Sequence, residues 1–199
     1  MQNNKQNNSD EQARKDQKTE ELPEKIKRSE RSVKDYQFFL IRLAIFVLAL
    51  WLIFFVFIGT THMPSGDMAP TIGTGDLVIF FRLDKDVRAQ DLIVIEKDVP
   101  ELGGNHTFIA RVVAVAGDTV EITDGDRLVV NGNAIIETNI YYSTPRYEGF
   151  VEYPVTLQEG ECFVLVDHRE GGTDSRFFGP VQKDDICGTV ITVMRKNNL

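Results

Sequence analysis

Residues 63–72 read MPSGDMAPTI. Pro64 and Pro70 stiffen the two ends of this stretch, and Gly66 frees the backbone between them. A loop of this kind can hold one side chain forward for attack on a substrate. The residue at its centre is Asp67. A carboxylate in a partly apolar site loses hydration, so it calls for a partner. Candidates are a hydroxyl or N–H of the loop itself, a bridging water, or a cation from a bound protein. His62 and His106 are titratable but read as solvated loop residues rather than bases. Arg111 is no base, because a guanidinium keeps its proton. No metal and no cofactor are expected.

Four separated segments carry a resemblance: PSGDMAPT at 64–71, GDLVIFFR at 75–82, ARVVAVAGDTVEI at 110–122 and DHREGGTDSRFFGPV at 167–181. In order and spacing they resemble the type I signal peptidases, membrane-anchored serine proteases that remove secretory signal peptides. The family shows P-S-G-S-M-x-P-T, K-R-V-V-x-x-x-G-D and G-D-N-R-x-x-S-x-D-S-R-x-x-G where the first, third and fourth segments stand. The resemblance implies a Ser-Lys dyad, in which a neutral lysine takes the proton of an attacking serine. The serine position is Asp67, the lysine position is Ala110, and a supporting serine aligns with Gly172. No member of that catalytic unit is intact. Ser65 matches a residue that lends its hydroxyl to the oxyanion hole. Ser65, Gly66, Asp67, Met68, Pro70 and Ala110 are the expected cleft residues, with an enlarged floor where Ala110 replaces a lysine. Asp174 is expected to pair with Arg176 or Arg111 as scaffold, which leaves Asp67 without the second carboxylate that aspartic chemistry needs.

These residues must be carried by a suitable frame. Residues 1–35 are mostly Asn, Gln, Lys and Glu and read as a disordered cytoplasmic tail. Residues 36–59 are almost wholly apolar and read as a transmembrane helix. Residues 1–42 hold ten Lys/Arg and eight Asp/Glu, and the cations before the helix predict a cytoplasmic N-terminus and an extracellular C-terminal domain. Residues 60–199 hold twelve Lys/Arg against twenty-two Asp/Glu, a charge that repels nucleic acid. From residue 76 apolar residues alternate with period two between turn signals, which predicts an all-β ectodomain of antiparallel sheets. A smaller inserted region is expected at about 123–160. Cys162 and Cys187 read as buried free thiols, with one disulfide as the alternative.

Together these features predict a non-catalytic homologue of the family, acting as a membrane-anchored chaperone or adaptor for protein or peptide clients. The resemblance extends to inactive relatives of Gram-positive bacteria that accompany pilins and sortases. The alternatives are a type I signal peptidase, active or inactivated, and a decoy that binds signal peptides.

Overall fold

The computed structural model describes residues 35–138 and 140–196, so the expected tail lies outside the described residues except for Asp35. The chain divides into two compact units at Ile53/Phe54. Helix α1, Asp35–Phe57, is long and apolar enough to cross a membrane. Its 23 residues give about 34 Å at 1.5 Å per residue, enough for a hydrocarbon core of about 30 Å. It ends two residues before the expected limit, because Ile58 already begins a strand.

The remaining chain is a set of antiparallel strands. They are β1 Ile58–His62, β2 Leu77–Phe81, β3 Leu92–Val99, β4 Gly104–Val115, β5 Thr119–Ile122, β6 Leu128–Val130, β7 Asn133–Ala134, β8 Val155–Thr156, β9 Glu161–Leu165, β10 Val181–Gln182 and β11 Ile186–Met194. Seven form one sheet in the order β1-β2-β11-β3-β4-β9-β10, and four form a second in the order β7-β6-β5-β8. The strands of the second sheet run from Thr119 to Thr156, while the inserted region expected from the sequence is about 123–160. One short helix, α2 Ser175–Phe178, is added after β9.

Burial alternates along β2 (LVIFF), where the side chains of Val78 and Phe80 are buried and their neighbours less so. Gly59 of β1 allows the tight crossing there, since a Cβ on it would stand 2.2 Å from the Phe80 ring. One core gathers Met63, Met68, Ile72, Val78, Val94, Ile109 and Val166. A second gathers Ile93, Ile95, Ala110, Val112, Val164 and Ile186. A third lies between the large sheet and the small one, around Ala114, Val120, Leu128 and Phe163. Cys162 is buried and Cys187 half-buried, and both are free thiols. Burial pushes the Cys162 thiol up to about 12.

One feature of register bears on function. β3 pairs along its whole length with β4, from Gly104 to Arg111, but β9 pairs with β4 only from Arg111 to Val115. Among the described residues, the β9-facing side of residues 104–110 has no strand partner.

Candidate functional site

The loop after β1 is held at many points. Met63 N–H donates to the Asp76 carbonyl at 2.9 Å, and Ile72 N–H donates to the Met68 carbonyl at 2.8 Å. Met68 and Ile72 are wholly buried, so the two apolar residues of the loop act as plugs in the first core. The polar side of the loop is tied to the segment that follows β9. His168 N–H donates to the Asp67 carbonyl at 2.8 Å. Thr71 Oγ1 donates to the buried carboxylate of Asp167. The same carboxylate takes both arms of Arg111, at 2.8 and 2.7 Å. That contact pushes the Arg111 guanidinium further up from its already high range. So Arg111 pairs with Asp167, and Asp174 pairs with Arg176.

The Asp174–Arg176 pair has no exposed surface on either side chain. Its two bonds are 2.9 and 2.8 Å. Asp174 also caps α2 through the Arg176 N–H and receives the Val166 N–H at 3.0 Å. Ser175 Oγ receives the Val164 N–H at 3.0 Å, so side chains of this motif satisfy the edge of β9 where β10 has ended. Breaking a buried pair of this kind costs about 3–5 kcal/mol, because one charge is left without a partner.

Arg169 anchors the smaller region. It is wholly buried, donates to Glu137 at 2.7 Å and to Thr144 Oγ1 at 3.2 Å, and so ties these two residues to the end of β9. Tyr147 lies under the Arg176 guanidinium, 4.3 Å from ring centre to charge, and donates its hydroxyl to the carbonyls of Gly171 and Gly172. Burial pushes that hydroxyl up, and the Asp174 and Asp67 charges add to the push against the opposing pull of Arg176. Tyr142 stands edge-on to His168, with ring centres 4.6 Å apart.

Asp67 is half-buried at the centre of these contacts. Its N–H reaches Ser65 Oγ at 3.4 Å, a long and weak bond. Its side chain lies directly over Gly172. A Cβ on Gly172 would meet Asp67 Cγ at 2.9 Å, Asp67 Cβ at 3.0 Å and Val166 Cγ2 at 3.0 Å. Gly172 is also left-handed, with φ of +78°. The structure therefore brings positions 67 and 172 together. Position 110 is different. Ala110 has no exposed surface and sits opposite Ile93 within the second core. The enlarged floor expected there is absent, because aliphatic neighbours close over the alanine methyl. Gly66 and Pro70 are exposed and frame the loop, and Met68 supports it from below.

Two residues beside Asp67 escape sequence reasoning, His168 and Tyr147. His168 stands in a segment read for its Asp and Arg, and Tyr147 reaches the site from the inserted region.

A family model described as "Signal peptidase, peptidase S26" matches residues 35–195. The chain belongs to this family. It is similar to a signal peptidase I of Leptolyngbya laminosa, 32% identical over 139 residues that cover 65% of each chain. It is also similar to thylakoidal processing peptidase 1 of Arabidopsis thaliana, 32% identical over 63% of this chain and 38% of that one. A signal peptidase I of Bacillus caldolyticus is 30% identical over 68% of this chain and 79% of that one. The match thus spans less than two thirds of the first two relatives' lengths. A crystal structure of a signal peptidase I from Enterococcus faecalis V583 is similar over 55% of this chain and 99% of that one, with 27% identity and a TM-score of 0.41. Within the S26 frame, the loop, the open edge of β4 and the Asp174–Arg176 pair are built, while position 67 carries a carboxylate.

Proposed function

We propose that this S26 family member is a non-catalytic, membrane-anchored chaperone or adaptor that docks extended segments of client proteins. The observation that carries the reading is that Asp67 packs against Gly172 while Ala110, at the third position of the family's catalytic unit, is sealed in an aliphatic core. Among the described residues, no lysine or histidine side chain hydrogen-bonds to Asp67, so no base stands ready to activate a nucleophile. The unpartnered side of β4 supports docking by strand addition, in which backbone bonds give affinity and pockets for alternate side chains give selectivity. Clients of the pilus-assembly type, pilins and sortases, follow from the family resemblance, as does a Gram-positive cell surface.

A second reading is supported by the names of the relatives and by the preserved loop. In it the chain is a type I signal peptidase that cuts signal peptides. One experiment separates the two. The full chain in detergent is incubated with a signal-peptide substrate, beside an active family member. We expect no cleavage above buffer, since loss of a catalytic nucleophile or base typically lowers the rate about 10⁴- to 10⁶-fold. Cleavage that Asp67→Ala abolishes would overturn the non-catalytic reading.

A further inference from the structure

The charges around Asp67 do not cancel. Three arginines hold the site together, and each is committed. Arg111 is bound to Asp167, Arg169 to Glu137 and Arg176 to Asp174. What remains is negative. Asp67 has no side-chain hydrogen bond or ion pair among the described residues, and neither do Glu148 and Glu170, which are exposed and adjoin Tyr147 and Gly171 in the chain. The carbonyls of Gly171 and Gly172 are already taken by the Tyr147 hydroxyl, so the Asp67 carboxylate is what remains to be paired. The whole segment 60–199 carries an excess of acidic residues.

We propose that Asp67 is the residue that recognises a lysine or arginine side chain on a client segment docked along the open side of β4. The inference rests on the docking reading given above and adds the chemistry of the docked segment. Ammonium and guanidinium groups are pure donors, which matches a site that offers a free carboxylate. The register supports the placement. β9 stops pairing with β4 at Leu165↔Arg111, and the residues just beyond it, Asp167 and His168, hold the Asp67 loop. Asp67 therefore stands where the open stretch of β4 begins. Gly172 contributes by having no side chain, since any Cβ there would displace the carboxylate.

The test uses the full chain in detergent micelles and labelled ten-residue peptides of strand-forming sequence, blocked at both ends. Each carries one central lysine, arginine, norleucine or glutamate. We expect lysine and arginine peptides to bind at least about fivefold more tightly than norleucine at low salt, and the gap to shrink at high salt. Asp67→Asn keeps the shape of the side chain and should erase the preference, with circular dichroism confirming an unchanged fold. Asp67→Lys should shift it toward glutamate. Equal binding of lysine and norleucine peptides, or a preference that survives Asp67→Asn, overturns the proposal while leaving docking in place. Failure of every peptide to bind overturns the docking reading and this inference with it. Self-association of the chain that Asp67→Asn abolishes would make a second copy the occupant and overturn the assignment to a client.

Discussion

The Asp67 side chain fills the space that any side chain at position 172 would enter. The contact distances of 2.9 and 3.0 Å leave no room for a methylene, and φ of +78° is unfavourable for a non-glycine residue. The two positions form one unit. Gly172→Ser should therefore destabilise the protein by about 2–4 kcal/mol, from overpacking and backbone strain together. Adding Asp67→Gly, which removes both the Cβ and the Cγ, should recover the part of the contact cost that Asp67 causes and leave the Val166 contact and the backbone part. Chemical denaturation of the two single variants and the double variant measures the coupling, and strict additivity would refute it. Sequence comparison with the family motif places 67, 110 and 172 together as a lost catalytic unit. It does not show that 67 and 172 touch while 110 is sealed in an aliphatic core, because contact across elements depends on register and side-chain volume. His168 and Tyr147 were illegible for the same reason. Each comes near Asp67 only through hydrogen bonds made between distant segments.

At the scale of elements, Asp76 joins three parts of the chain. Its carboxylate takes the Gly73 N–H at 2.8 Å and the Lys196 N–H at 2.9 Å, while its carbonyl takes the Met63 N–H at 2.9 Å. It thus binds the exit of the Asp67 loop to the chain beyond β11. The Lys196 N–H, and then the Gly73 N–H, hold its carboxyl below the usual carboxylate range. A carboxyl group lowered in the folded state stabilises that state above its ordinary titration, and the benefit is lost as pH falls through the folded value. Asp76→Asn should accordingly lower Tm most near neutral pH. The gap to the native protein should close below about pH 4. A gap that stays constant from neutral to acid pH would show that the charge is not what matters. The strands themselves were largely legible, because β2, β3, β4, β6, β9 and β11 contain β-branched and other apolar runs bounded by turn residues and β5 alternates polar and apolar residues. β1 was hidden by the apolar helix that runs straight into it. β7, β8 and β10 are two residues long, too short for a pattern, and are set by what they meet. The capped turn α2 rests on Asp174, whose side chain was legible as half of an ion pair but not as a helix cap.

At the scale of the whole molecule, the chain separates its charges across one apolar helix. The residues before α1 are rich in Lys and Arg, and those after it are strongly acidic. Cationic segments are retained on the cytoplasmic side, so the segment after α1 should face outward, where acidic residues cross without penalty from this rule. The Asp67 site would then meet clients on the outer side of the membrane. Protease added to intact protoplasts should remove residues beyond about 60 and spare an epitope tag placed at residue 1. Inside-out vesicles should show the reverse. If the N-terminal tag is lost first from protoplasts, the orientation is inverted and the site faces the cytoplasm. Extended clients would then have to be engaged before export, and a docking role on the cell surface would be untenable whatever the affinity of Asp67 for a cation.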